Sequence, residues 1–379
     1  MGHRALPNIR SAQRADSTYF SLAIIFSNPV RHFVHKYEVA EQFGLGREMR
    51  LNSARMNRFR IFVDFAVTPE VLELLQAGTQ GHELVFPKTP VTSVLAKAER
   101  DPQFITVDIA FGQPQPEAIA EAGRLKWIHI STSGITRYDN PQFRALVAER
   151  KIPVTNSASV YNEACAVHAL SFMVAQARRL PLALKTRAAS GTKAWKEIRG
   201  TSGMLRGETV LILGYGVIGK RLAELLRPFD MKVMAYRRKP RGDEGAPVIT
   251  EEQLARALAG AEHIVNILPD SAVTRHFFDA KRFAMMKSGA IFYNIGRGTT
   301  VNQDALLEAL RSDRIGAAWL DVTEHEPLPE EHPLRKEPNC FITPHVAGGH
   351  KGEDKTLVRH FLKNFERFVR GESLLDRVI

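Results

Sequence analysis

Cysteine is nearly absent: Cys165 and Cys340 are the only two in 379 residues. Two thiols cannot build the disulfide framework of a secreted scaffold, so a reducing, cytoplasmic setting is expected. Long apolar runs are missing as well. The longest, such as 210–213 and 264–268, reach about five residues against roughly 20 for a membrane-spanning helix. They read as buried strands, and no membrane partner is expected. Metal-binding spacings are lacking too, with neither H-E-x-x-H nor paired cysteines; His325, His332 and His350 read as solvated loop residues, and no metal is expected. The net charge of +11 suits an anionic substrate or coenzyme and equally a nucleic-acid backbone. Basic runs interleaved with aromatics, which a nucleic acid would need, do not occur, since lysine and arginine are scattered through mixed-charge helices such as 357–370. No nucleic-acid partner is expected.

What is present is a globular composition, 44% hydrophobic and 25% charged, with a mean hydropathy of −0.19. The length exceeds what one hydrophobic core usually organises, so two domains are expected. Residues 1–55 lack sustained periodicity and read as a poorly ordered, dispensable extension, with Met56 as the functional start. Their Arg-rich, acid-poor beginning faintly resembles a transit peptide. From Met56 onward strand and helix alternate. Phe59 to Val63 reads as a strand, and Thr68-Pro69-Glu70 then places a capping hydroxyl before a proline at the first helical position. Strands at 84–86, 105–111 and 127–130, with a helix around 118–122, give the rhythm of a parallel sheet. A long, mostly apolar helix is predicted over 163–180, with the domain hinge near residue 160.

A second, more regular series follows, with strands at 209–213, 232–236, 263–268, 290–294, 316–321 and 341–343. Two of its helix starts are signalled by Thr250 with Gln253 and by Asn302. Such a series predicts a Rossmann-type, doubly wound parallel sheet. The fold class is α/β, the Rossmann domain spanning 160–345. A smaller flavodoxin-like domain combines 56–159 with 346–379, because the last helix, about 355–370, is expected to fold back onto the first unit. The chain ends soon after that helix, which is read as leaving no room for a further domain.

The strand at 209–213 runs directly into Gly214-Tyr215-Gly216-Val217-Ile218-Gly219, which opens a helix. In this context G-x-G-x-x-G binds a dinucleotide: the first glycine allows the turn, the second lets the backbone approach a pyrophosphate, and the third lets helix and strand pack closely. Gly214, Gly219 and Lys220 also match a P-loop, but Arg221 stands where a magnesium-binding hydroxyl is needed. At the end of the next strand a carboxylate would select NAD; Arg237, Arg238 and Lys239 stand there instead. Guanidinium groups grip a 2′-phosphate, so NADP(H) is expected over NAD(H), the alternative being a merely solvated basic turn. Pro269, after the 263–268 strand, and Asp321 are assigned to the coenzyme as well.

Three further segments lie at carboxyl ends of predicted strands: Asn294-Ile295-Gly296-Arg297-Gly298, Asp321 to Pro327, and Thr343-Pro344-His345. In an open α/β sheet those ends line the ligand crevice, so an arginine, a carboxylate and an imidazole could meet there as a carbonyl-reduction site. Together with the glycine turn, these segments resemble the D-isomer-specific 2-hydroxyacid dehydrogenases, including glyoxylate and hydroxypyruvate reductases, from about Met56 to Ile379. The resemblance implies that Arg297 binds the substrate carboxylate, His345 is the acid/base, and Glu326 orients it. It further implies that Ser133 and Gly134, in the Ser131 to Gly134 turn, bind the substrate through backbone N–H groups. Gly296 departs from the family's usual alanine. Trp195 resembles a tryptophan of the family's interdomain segment and is read as a packing anchor, as Cys165 is read as buried packing. The substrate implied is a small 2-oxo or 2-hydroxy acid, and the assembly implied is a homodimer. A rival reading, a coenzyme-sensing corepressor with this fold and little turnover, would bind nicotinamide coenzyme without reducing 2-oxo acids.

Overall fold

The computed structural model describes residues 58–91 and 99–379; the expectations about residues 1–55 and a start at Met56 lie outside the described residues. Two all-parallel sheets organise the chain. The first contains β1 (Arg60–Val63), β2 (Glu83–Val85), β3 (Ile109–Gly112), β4 (Trp127–Ile130) and β5 (Val154–Thr155) in the order β2-β1-β3-β4-β5. Helices α1 (Pro69–Gly78), α2 (Pro116–Glu121) and α3 (Pro141–Glu149) alternate with these strands. Helix α4 (Ala158–Ala177) leads through α5 (Leu180–Thr186) and α6 (Lys193–Thr201) to the second sheet. That sheet is built from β6 (Thr209–Leu213), β7 (Lys232–Tyr236), β8 (Val248–Ile249), β9 (His263–Asn266), β10 (Ala290–Asn294), β11 (Ile315–Leu320) and β12 (Cys340–Ile342), in the order β12-β11-β10-β9-β6-β7-β8. Its helices are α7 (Val217–Leu226), α8 (Glu251–Gly260), α9 (Ala280–Met285) and α10 (Gln303–Arg311), and α11 (Glu353–Val369) closes the chain.

Strand order reverses beside β6 in the second sheet and beside β1 in the first, and such switch points open ligand crevices in doubly wound sheets. The expected α/β architecture is thus observed, with particular corrections. The strand expected over 105–111 begins only at Ile109. Asp101 caps a short turn at Pro102–Thr106, its carboxylate accepting from Gln103 N at 2.8 Å, and Ile105 is left 44% exposed. Helix α4 starts at Ala158, not Glu163. Its first turn is held by a residue remote in sequence: the Asp376 carboxylate accepts from Ser159 N at 2.9 Å and Ser159 Oγ at 2.7 Å, and an anion is favoured at a helix N-terminus. A seventh strand, β8, extends the edge beyond β7.

Helix α11 returns to the first sheet. Phe361 is fully buried and stacks on Phe111 at 4.1 Å and on Trp127 at 5.3 Å between ring centroids. Gly78 lets α11 approach α1: a Cβ there would lie 2.5 Å from Leu362 Cδ2. Helix α4 carries the core from one sheet to the other, through Val160 and Ala166 to Phe172 and Met173, and Trp319 of β11 donates to Gln176 Oε1 at 2.9 Å. Truncating Phe361 to alanine removes both stacking partners at a site with no solvent to fill it. The expected loss is about 3–5 kcal/mol of unfolding free energy, read as a lower denaturant midpoint at unchanged slope.

Candidate active site

The glycine turn sits where β6 ends. Gly214 has φ +93°, and a Cβ on it would lie 2.4 Å from Ile267 O, so no other residue fits without moving β9's exit. A Cβ on Gly219 would meet Gly214 O at 3.0 Å, whereas Gly216 faces open space. Gly216 caps α7 with no side chain to satisfy the first-turn N–H groups, which therefore remain donors for an anion. They open on a cavity of about 820 Å³ lined by Gly214, Gly216, Val217, Ile218 and Pro269, and by the basic segment after β7. These residues fit a dinucleotide: free helix N-terminal donors, backbone with no Cβ in the way, and cations at one end.

Within that basic segment the three predicted cations differ. Arg237 is only 16% exposed and ion-paired to Glu244 at 3.2 Å. Arg238 and Lys239 line the cavity, and no ion pair engages them among the described residues. Arg241, which the sequence reading missed, lines it too. The basic run resumes after Pro240, and reading past that proline would have found it.

A second cavity, of about 530 Å³, adjoins the first through Ser133 and Ile218, which line both. Its walls come from the carboxyl ends of both sheets: Ser133 and Gly134 follow β4, Arg297 follows β10, Asp321 and Glu326 follow β11, and His345 follows β12. The predicted arginine, glutamate and histidine are therefore brought to one chamber. His345 Nδ1 lies 2.8 Å from Glu326 Oε2, and Glu326 Oε1 accepts from Thr323 N at 3.0 Å. With Nδ1 on a carboxylate, the neutral ring carries its proton there and leaves Nε2 as the free ring nitrogen. Burial tends to raise the Glu326 carboxyl, but the bond and charge of His345, the Thr323 N–H and the Arg297 charge together hold it below the ordinary carboxylate range. It stays an anion at neutral pH.

Arg297 reaches the chamber because Gly134 has no side chain; a Cβ on Gly134 would stand 1.9 Å from Arg297 Nη2. Its Nη1 donates to Gly296 O at 2.7 Å. Burial lowers the guanidinium from its ordinary range, opposed chiefly by Glu326, and a guanidinium keeps its charge at any working pH.

Asp321, expected beside the coenzyme, lines the Arg297 chamber rather than the glycine-turn cavity. Its carboxylate is 1% exposed and is taken up by the loop after β12: Thr343 Oγ1 donates at 2.6 Å, Val346 N at 2.9 Å and Ala347 N at 2.8 Å. His345 N also donates to Asp321 O at 2.8 Å. Asp321 thus fixes the backbone that delivers His345, whose φ is +52°. Cys165 borders the chamber, and burial pushes its thiol up to about 12, so it is no nucleophile.

Sequence reasoning missed Gln113, Arg137 and Tyr161, which also line the chamber. Gln113 directly follows β3, so the strand-end rule that found Arg297 would have found it. Its side chain donates to Thr132 Oγ1 at 2.7 Å, and its backbone N donates to the buried Asp64 carboxylate at 2.6 Å. Burial raises Asp64 to about 7, against the lowering effects of the Gln113 N–H and Arg137. A carboxyl protonated in the folded state and ionised in the unfolded one destabilises the fold increasingly as pH rises from about 4 to 7. Asp64→Asn keeps an acceptor for Gln113 N and removes this effect. Its gain in unfolding free energy over the parent is expected to grow from pH 4 to pH 7 and then level off, measured by denaturant titration across that range.

The chain belongs to the D-isomer specific 2-hydroxyacid dehydrogenase family. Residues 170–347 match the family model for its NAD binding domain. The glyoxylate reductase of Aeropyrum pernix is 30% identical over 340 residues, covering 86% of this chain and 98% of that protein. Human glyoxylate reductase/hydroxypyruvate reductase is 35% identical over 230 residues, 60% of this chain and 70% of the relative. Among solved structures, a family protein from Aeromonas salmonicida superposes with a TM-score of 0.69 at 28% identity, covering 85% of this chain and 99% of that one. One from Xanthobacter autotrophicus in complex with NADPH and MES gives 0.68 at 27%, covering 85% and 98%. The protein is thereby an NAD(P)-dependent 2-hydroxyacid dehydrogenase, an oxidoreductase. Among the described residues no helix is long and apolar enough to cross a membrane.

Proposed function

We propose that this chain reduces a small 2-oxo acid of the glyoxylate or hydroxypyruvate type to the D-2-hydroxy acid, with NADPH preferred over NADH. The observation that carries the reading is the His345–Glu326 pair at 2.8 Å, placed in one chamber with Arg297 and adjoining the glycine-turn cavity. A bound nicotinamide coenzyme supplies the hydride. Arg297 grips the substrate carboxylate by charge-assisted bonds, with backbone N–H groups of the Ser133-Gly134 turn on its other side, and so fixes the carbonyl carbon for attack. His345 Nε2 donates the proton that the carbonyl oxygen takes up, or removes it in the reverse direction. Glu326 orients that ring from Nδ1. Relatives named for glyoxylate and hydroxypyruvate support the size of the acid. The preference for NADPH is supported by cations beside the glycine-turn cavity, where an NAD site would present a carboxylate.

The domain division is proposed as 56–159 with 346–379 for the substrate side and 160–345 for the coenzyme side. The assembly is proposed as a homodimer through α5 and α6. Neither helix buries a residue fully. Leu184 and Met204 stand 72% and 67% exposed, and Trp195 carries Arg199 over its ring at 5.3 Å. The unpaired thiols Cys165 and Cys340 agree with a cytoplasmic setting.

Replacing His345 with alanine removes the proton donor and leaves the glycine turn untouched. Turnover of the best 2-oxo acid is expected to fall by about 10²–10⁴, with coenzyme affinity unchanged; retained turnover removes His345 from the role. Sedimentation equilibrium is expected to give twice the chain mass, and a single-chain mass at all concentrations refutes the dimer.

A further inference from the structure

The segment after β7 poses an electrostatic problem. Arg237, Arg238, Lys239 and Arg241 crowd into five consecutive positions, and like charges held this close repel one another and favour an open, solvated loop. A buried carboxylate lies beneath them. Glu244 is 3% exposed at its side chain and pairs with Arg237 Nη1 at 3.2 Å. The same carboxylate accepts from Arg241 N at 2.7 Å and from Gly242 N at 2.9 Å. The bend this requires is taken by glycines, Gly242 at φ +81° and Gly245 at +69°. The loop is also tied to the glycine-turn helix, since Asp243 pairs with Lys220 of α7 at 2.6 Å.

We infer that Glu244 is a positioning residue for coenzyme selection: it neutralises Arg237 from below and folds the loop so that Arg238, Lys239 and Arg241 meet the 2′-phosphate of NADP(H). The inference rests on the NADP(H) reading above. It resolves an apparent contradiction, because a carboxylate beside the adenosine ribose would ordinarily repel a 2′-phosphate. Here the charge is turned away from the cavity and neutralised by a guanidinium and two backbone N–H groups. The carboxyl is held below its ordinary range, first by the Arg241 N–H, so it remains the anion that Arg237 requires. Arg237 lines the same cavity, and its pairing with Glu244 gives it a positioning role beside the coenzyme contact expected of it from sequence.

The test is binding of NADP⁺ and NAD⁺ to the full chain by calorimetric titration, which needs no turnover, with Glu244→Gln and Glu244→Ala beside the parent. Glu244→Gln is nearly isosteric and keeps one oxygen acceptor; because Arg241 N and Gly242 N bond different carboxylate oxygens, it loses one of those two acceptors together with the charge opposite Arg237. The parent is expected to bind NADP⁺ more tightly. Glu244→Ala is expected to lower the NADP⁺/NAD⁺ affinity ratio by about tenfold, one to two charge-assisted contacts being lost, with Glu244→Gln between the two. A residue that merely stabilised the domain would weaken both nucleotides equally. A parent that prefers NADP⁺ beside variants that keep its ratio overturns the inference alone. A parent without that preference overturns the coenzyme reading and the inference with it.

Discussion

Parallel pairing forces every strand of a sheet to deliver its following loop at the same edge, and the chemistry of this protein depends on that constraint. Both sheets are parallel throughout, so each has one edge where every loop exits. Loops from β3 and β4 and loops from β10, β11 and β12 line one chamber. None of the strands carries a reacting group in its middle. Side chains that are far apart in sequence, such as Gly134 and Arg297, meet because of strand polarity, and the absent Cβ at Gly134 sets how closely they meet.

Buried or half-buried carboxylates do much of the local positioning, each engaged by a different set of donors. Asp321 is bound by hydroxyl and backbone N–H groups and shapes the loop that presents His345. Glu326 is bound by one backbone N–H and the imidazole itself, and so fixes the orientation of the ring. Glu244 is bound by two N–H groups and a guanidinium. In each case desolvation of the anion is offset by donors that the backbone supplies without side-chain entropy. The arrangement around a reaction that handles anionic acids and phosphates is thereby kept from repelling its own ligands.

Much of this was legible in the sequence because the signals are local. A strand followed by G-x-G-x-x-G needs only its neighbours to be read, and the strand-end positions of Arg297, Glu326 and His345 follow from hydrophobic runs a few residues long. What was not legible depends on partners distant in the chain. The early start of α4 is held by Asp376, more than two hundred positions away by the separation of the bond. Arg237 was read from its strand-end position alone, and its pairing with Glu244 is seen only in the structure. The strand expected at Ile105 gave way to a turn because an aspartate and a proline nucleate one there; that signal was local and outweighed by apolar content. A strand end names a crevice without naming which of two adjoining cavities a side chain faces, so the sequence did not show that Asp321 lines the Arg297 chamber.

The central claim is that one chamber, fed by the edges of two parallel sheets, reduces a 2-oxo acid with hydride from a coenzyme held at the glycine turn. The most direct measurement is the fall in absorbance at 340 nm when the purified chain is mixed with NADPH and, in turn, glyoxylate, hydroxypyruvate, pyruvate and phenylpyruvate, followed by chiral analysis of the product. Turnover with a small acid, yielding only the D-isomer from hydroxypyruvate, pyruvate or phenylpyruvate (glycolate, from glyoxylate, has no stereocentre), is the result the account predicts. Tight coenzyme binding without turnover on any of these acids, or formation of the L-enantiomer, would contradict it.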